Sequence, residues 1–84
     1  MQTRVAVMSI IVEDLSSAQA LNDILHTHAQ YIIGRMGIPY RERGISIVSV
    51  ALDAPQDLLS SLAGKIGNLP GVSVKTAYSQ VISQ

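Results

Sequence analysis

The sequence predicts an α+β domain, and three observations carry this prediction. Some stretches alternate between two side-chain faces, as strands do, and others repeat apolar residues at three- and four-residue spacing, as helices do. Their order along the chain is strand, helix, strand, strand, helix, strand. This is the order of the ferredoxin-like βαββαβ fold, in which two helices cover one face of a four-stranded antiparallel sheet. The chain has 84 residues, so we predict a single domain over residues 1–84.

Four strands are predicted from the alternation and from the turn residues that separate them. They cover residues 4–12, 31–38, 45–52 and 72–79. Gly44 is expected to adopt the positive φ that a tight connection between the second and third strands requires. Residues 80–84 are expected to form a loose tail.

Two helices are predicted between these strands. The first covers residues 16–28, where Ser16 is a favourable N-cap and Gln19 completes a capping box. The second begins at residues 53–55, and the pair Gly67-Asn68 is expected to supply a left-handed exit from it.

The predicted sheet has an unusual second face. Both helices should cover the same face, so the other should be polar, yet the first and third strands carry apolar residues on both sides. An uncovered apolar face of this kind usually marks an interface. Small residues would allow a second sheet to approach closely: Ser9, Ser46, Ser49, Ser73 and Ala77. We therefore predict that the chain associates with itself, as a homodimer or homotetramer.

Composition excludes several classes of function. Six basic and six acidic residues cancel, which argues against nucleic-acid binding because phosphate contacts need a basic surplus. The chain has no cysteine, so it can form neither disulfides nor thiolate metal sites. No apolar run is long enough to span a bilayer, and the first residues lack a signal-peptide pattern. A cytoplasmic location is expected.

No complete catalytic constellation is present, and no cofactor is predicted. His26 and His28 would point roughly 200° apart on a helix, so they are not expected to share a metal ion. A structural role suits both imidazoles, which gain from the negative end of the helix dipole. The best acid–base pair for a small cofactor-free enzyme would be His28 with Tyr31 or Tyr78.

Two groups of residues are candidate ligand contacts. Glu13 and Asp14 follow the first strand and could bind a cation or perform acid–base work, although the favoured interpretation is that Asp14 supports Ser16 at the helix start. Arg35 belongs to the local basic surplus with Arg41 and Arg43, and could bind a planar anion or simply solvate a hairpin. Gly34 and Gly37 flank Arg35 and would admit a neighbouring chain against the backbone.

Two segments carry a family resemblance. They are Ile-Gly-Arg-Met-Gly-Ile-Pro-Tyr-Arg-Glu-Arg-Gly at residues 33–44 and Leu-Pro-Gly-Val-Ser-Val-Lys-Thr at residues 69–76. The chain resembles, from about residue 4 to residue 79, the small regulators of the iron-only hydrogenase system. This resemblance implies a fold similar to ACT domains and to the carboxy-terminal domain of the nickel-responsive repressor. Those relatives assemble through their sheets and bind small effectors or metal at subunit interfaces.

The resemblance also sets expectations for the site and the partners. ACT domains place effector contacts in the loop after the first strand, here residues 13–17. An interface site would then combine this loop of one chain with the second strand of another, using Glu13, Asp14, Ser16, Gly34, Arg35 and Gly37. The nickel repressor's DNA-binding segment and metal ligands have no counterpart, so neither direct DNA binding nor nickel sensing is expected.

Three hypotheses of function remain open at this point. The first is a regulatory module that binds a small or anionic effector. The second is a ligand-free scaffold for a hydrogenase-maturation protein, and the third is the small enzyme described above.

Overall fold

The computed structural model describes residues 2–83. The strands are β1 (Thr3–Val12), β2 (Ile32–Tyr40), β3 (Ile45–Ala54) and β4 (Val72–Ser83), and the helices are α1 (Ala18–Thr27) and α2 (Gln56–Gly67). Short 3₁₀ turns precede α1, follow it, and join β2 to β3.

The strands form one antiparallel sheet in the order β2-β3-β1-β4. Both central strands are therefore the ones with apolar residues on two faces, β1 and β3. This order is the ferredoxin-like arrangement, so the predicted fold class is confirmed.

The core lies between the helices and one face of the sheet. Alternate residues of the central strands point into it, because successive side chains of a strand face opposite ways. The helices contribute Leu21 and Leu25 from α1, and Leu59, Leu62 and Ile66 from α2. Each of these side chains is at most 2% exposed, and burying one stabilises the fold by roughly 1.5–3 kcal/mol.

The start of α1 differs from the predicted capping box. Asp14, and not Ser16, caps the 3₁₀ turn Leu15–Ser17, and its Oδ1 accepts hydrogen bonds from the Ser16 amide (3.0 Å) and hydroxyl (2.6 Å). The Gln19 amide donates instead to Asp23 (2.9 Å). A carboxylate two residues upstream of Ser16 offers the stronger acceptor, so the helix starts later than predicted, at Ala18.

Strand β4 is longer than predicted. It pairs with β1 as far as Thr3 opposite Ser83, so residues 80–83 belong to the sheet and the expectation of a loose tail there is wrong. The register shifts between Arg4 and Ala6 of β1. The strand continues because β1 offers backbone partners along its whole length. Residue 84 of the predicted tail lies outside the described residues.

Two turns require glycine, one of which was predicted. Gly44 has φ +64°, as expected for the β2–β3 connection. The predicted left-handed exit from α2 is wrong, since Asn68 has φ −84° and Gly67 is not among the positive-φ glycines. The positive φ occurs further along, at Gly71 (+65°), where the chain turns into β4.

Candidate functional site

The sheet face that points away from the helices carries exposed apolar side chains. We call this surface the open face. Register places Ile11, Ile47 and Ile38 side by side across β1, β3 and β2, and they are 43%, 40% and 45% exposed. Val7, Met36 and Tyr40 are further large exposed side chains on this face. The apolar second face predicted from the sequence is therefore present.

Small residues complete the open face, with Lys75 of β4 beside Ser9. Ser9 and Ser49 lie opposite each other, and Ala51 lies between Val7 and Gly34. Ser46 was expected in this set but lies on the helix side, because it is paired with Val12, whose side chain is in the core.

Asp53 contributes a carboxylate to the open face. It lies opposite Val5, and its Oδ1 atom is buried without a hydrogen-bond partner among residues 2–83. Buried polar atoms normally have a partner.

Strand β2 is poorly covered on the helix side as well. Arg35, Gly37 and Pro39 occupy this side, where β1 and β3 have large apolar residues. They supply little apolar surface for α1 to bury, so α1 packs over the central strands and leaves a cavity of about 260 Å³ beside β2. We call this cavity the α1–β2 pocket. Its lining residues are Val12, Ala18, Leu21, Asn22, Arg35, Gly37, Pro39, Ser46 and Val48.

Arg35 and Asn22 form the polar end of the α1–β2 pocket. The Arg35 Nη2 atom donates to Asn22 Oδ1 at 2.7 Å, which joins β2 to α1. The same two residues border a second depression of about 470 Å³, which also contains Asp23 and His26. The guanidinium thus lies between two adjacent concavities along the groove between α1 and β2.

The β1–α1 loop is attached to the loop before β4. The Glu13 amide donates to the Gly71 carbonyl at 2.7 Å, and the buried Ser17 hydroxyl donates to the Pro70 carbonyl at 2.6 Å. A Cβ on Gly71 would lie 2.5 Å from the Asp14 Cβ, so the two loops can approach this closely only because residue 71 is glycine. The hydrogen bonds from Ser16 lower the pKa of the exposed Asp14 carboxyl.

The six predicted site residues fall into three groups. Arg35 and Gly37 share the α1–β2 pocket. Glu13, Asp14 and Ser16 lie in the loop attached to Gly71 and are not among the residues that line this pocket. Gly34 is on the open face, opposite Ala51. Within one chain, the structure therefore does not gather them into one site.

Sequence reasoning found two of the nine lining residues, Arg35 and Gly37, and missed the other seven, among them Asn22, Pro39 and Ser46. One signal was available for Pro39. Residues 35, 37 and 39 alternate along β2 and share one face, which lacks large apolar residues. The other strands have large apolar residues on the corresponding face.

The histidines occupy separate environments. His28 is half-buried at the end of α1, where Nδ1 donates to the Ile24 carbonyl at 2.8 Å. It borders a depression lined also by Pro55, Asp57, Leu58, Ser61 and Lys65, and neither Tyr31 nor Tyr78 lines it. His26 is exposed. Residues 2–83 contain no group of three or more His, Cys, Asp or Glu side chains that could hold a metal ion.

Neither helix of the described chain has the length and apolar character needed to cross a membrane.

Comparison with solved structures shows what this architecture is similar to. "Uncharacterized protein TM1266" from Thermotoga maritima is 30% identical, with a TM-score of 0.89 over 93% of this chain and 99% of that one. A nitrogen regulatory PII-like protein, CPII from Thiomonas intermedia K12, is 14% identical, with a TM-score of 0.65 over 100% of this chain and 98% of that one. A formyltetrahydrofolate deformylase from Pseudomonas putida KT2440 is 13% identical, with a TM-score of 0.63 over 87% of this chain and 28% of that one.

The two likenesses at 13% and 14% identity concern the fold alone. No curated protein matches the chain significantly. A protein-family model does match residues 4–76, and its description reads "TM1266-like: Iron-only hydrogenase system regulator, putative". This match covers most of the chain and agrees with the similarity to the Thermotoga protein. The chain therefore belongs to the TM1266-like family, whose description names the iron-only hydrogenase system.

Proposed function

We propose that this chain is a homo-oligomeric regulatory module of the iron-only hydrogenase system, which associates through the open face and responds to a small effector. The family description supports the regulatory role. The fold is shared with a nitrogen regulatory PII-like protein, one structure of which contains ADP, AMP and bicarbonate. The proposed effector contacts are drawn from Glu13, Asp14, Ser16, Gly34, Arg35 and Gly37.

The observation that carries this proposal is the exposed apolar row on the open face. Monomeric proteins rarely expose contiguous apolar patches of more than a few hundred Å². Ile11, Ile47 and Ile38 lie in one row on three adjacent strands. In the neighbouring row, Ser9 and Ser49 lie between Met36 on β2 and Lys75 on β4. The small side chains leave the face flat enough for a second sheet to approach.

A second copy of the chain is the proposed occupant of this face. Two copies related by a two-fold axis bury the same patch twice, so one apolar surface is sufficient for association. The chain is also too short to build a large core, and self-association would add apolar burial without cysteine or metal. The partner copy would cover the aliphatic side chains that the helices leave exposed.

Replacing one isoleucine at the centre of the row tests the proposal. Ile47→Lys places a charge where the second sheet would pack, because Ile47 lies between Ile11 and Ile38. We expect size-exclusion chromatography with light scattering to show an oligomer for the unchanged chain and a monomer for Ile47→Lys. Leu15→Lys is the matched control, since Leu15 is 54% exposed on the turn before α1 and not on the sheet. A monomeric unchanged chain, or equal effects of both variants, would contradict the proposal.

The proposed module is not an enzyme, and it would act in the cytoplasm through protein partners and not by direct contact with DNA. A hydrogenase-maturation protein is the proposed partner class, and the family description supports the link to the hydrogenase system. The balanced charge of the chain supports the absence of a nucleic-acid contact. If the chain were a ligand-free scaffold, the oligomer would form but no effector would bind.

A further inference from the structure

The α1–β2 pocket combines an apolar floor with a single cation at one end. From this geometry we infer that the pocket binds a small monocarboxylate with a short aliphatic chain. The inference rests on the proposed function, because it names the chemistry of the effector. It places the ligand within one chain, between α1 and β2, and makes Arg35 its anchor.

Arg35 determines the charge of the ligand. It is the one charged residue among those that line the pocket. One Nη2–H is donated to Asn22, while the hydrogens on Nε and Nη1 have no acceptor among residues 2–83. A guanidinium presents its donors in a planar fork that matches a carboxylate. The hydrogen bond to Asn22 holds this fork at the mouth of the pocket, so less side-chain freedom is lost when an anion binds.

The floor determines the rest of the ligand. Val12, Leu21 and Val48 form the inner end of the pocket and are 1%, 2% and 7% exposed, so only their outermost atoms would meet a ligand. Pro39 adds to the more accessible apolar lining. Gly37 and Ala18 form part of the wall, and a Cβ on Gly37 would meet nothing within 4 Å. The volume of about 260 Å³ is sufficient for a carboxylate with a short aliphatic chain.

The pocket disfavours two neighbouring ligand classes. An α-amino acid carries an ammonium group, and no Asp or Glu lines the pocket to receive it. Asp23 borders the adjacent depression and is not among the residues that line this pocket. A phosphate dianion would meet a single cation, Arg35, so its second negative charge would have no charged partner in the pocket.

The test is a titration of the full-length, ¹⁵N-labelled chain followed by amide chemical shifts. The probes are isocaproate, leucine and isocaproamide, which share one carbon skeleton and differ in the ammonium group or the carboxylate charge. We expect saturable shifts with isocaproate at residues of α1 and β2 around the pocket. Leucine and isocaproamide should bind at least about tenfold more weakly. The ammonium group of leucine would have no acidic partner in the pocket, and isocaproamide lacks the carboxylate charge that Arg35 would bind.

Two variants probe the two ends of the pocket. Arg35→Gln removes the anchor and should weaken isocaproate binding by about tenfold or more. Gly37→Val fills the wall without a backbone clash and should abolish binding, while its spectrum reports whether the sheet is intact. Arg41→Gln is the matched control, because Arg41 is exposed in the turn after β2 and does not line the pocket.

Each outcome bears on the inference. Equal binding of leucine and isocaproate would overturn it, as would unchanged binding by Arg35→Gln or Gly37→Val, or the absence of saturable shifts. The oligomeric state is measured on the same samples by light scattering. A stable oligomer without isocaproate binding would refute the pocket ligand alone, whereas a monomer would refute the proposed assembly.

Discussion

Gly71 is the residue at which two loops of the molecule come closest. Its carbonyl accepts the Glu13 amide, and it turns the chain into β4 with φ +65°. Any Cβ there would overlap the Asp14 Cβ and backbone nitrogen, at 2.5 and 2.8 Å. The position therefore combines a left-handed backbone with a steric requirement for glycine.

Replacing Gly71 should consequently cost more than replacing the other positive-φ glycine. The strained backbone of Gly71→Ala costs about 1–2 kcal/mol, and displacing the β1–α1 loop weakens hydrogen bonds worth about 1 kcal/mol each. We expect the free energy of unfolding, measured with urea, to fall by about 3 kcal/mol. Gly44→Ala is the control, because Gly44 has φ +64° and open space around its Cβ, so it should lose about 1 kcal/mol. Equal losses would show that the contact with Asp14 does not matter.

The ionisation of Asp14 should make the stability at the start of α1 depend on pH. The Ser16 hydroxyl, and then the Ser16 amide, stabilise the ionised carboxylate and lower its pKa. A pKa that is lower in the folded chain than in the unfolded one contributes stability above the unfolded pKa, and this contribution is lost as the pH falls through the folded pKa. Titration followed by carboxyl ¹³C shifts should therefore give Asp14 a pKa below that of an ordinary aspartate. Ser16→Ala should raise it; an unchanged value would contradict the assigned hydrogen bonds.

Helix α1 is held on the sheet by a narrow apolar stripe. Leu21 and Leu25 are its buried residues, and on the β2 side it meets Arg35 and a cavity instead of packed side chains. The helix thus depends on few contacts.

Truncating one of these leucines tests that dependence. Leu25→Ala should lower the free energy of unfolding by about 2–5 kcal/mol, since Leu25 is fully buried and its removal leaves a cavity. Leu15→Ala, at a side chain that is 54% exposed, should change it by less than about 1 kcal/mol. Denaturation in urea measures both, and similar losses would mean that α1 is not anchored as described.

The elements themselves follow from sequence patterns, but their ends do not. β1 and β3 can be recognised because apolar residues occupy both of their faces. One face packs against the helices, and the other belongs to the open face. The end of β4 escapes this reasoning, since its pairing depends on how far β1 extends and not on its own side chains. The start of α1 escapes it too, because Asp14 and Ser16 compete as caps and the stronger acceptor prevails.

The site is less predictable than the fold for a related reason. Arg35 and Gly37 can be singled out by residue type and composition, and the pocket contains both. Their partner Asn22 belongs to a different element, and its hydrogen bond to Arg35 depends on where α1 crosses the sheet. The attachment of Ser17 to Pro70 likewise joins residues 53 positions apart, and no local pattern indicates it.

At the scale of the whole molecule, β2 separates the two candidate surfaces. Its residues 35, 37 and 39 border the α1–β2 pocket, and the intervening Met36, Ile38 and Tyr40 belong to the open face. The strand lies at the edge of the sheet, and every residue from 33 to 40 is exposed. An assembly that covers the open face would therefore pack against the strand that forms the wall of the pocket.

Native mass spectrometry of the unchanged full-length chain tests whether it associates with itself through the open face. We expect one discrete oligomer, a dimer or a tetramer, that persists at micromolar concentration and dissociates when Ile47→Lys is introduced. A chain that remains monomeric across this range would mean that the apolar row of Ile11, Ile47 and Ile38 is exposed to water, and it would contradict self-association.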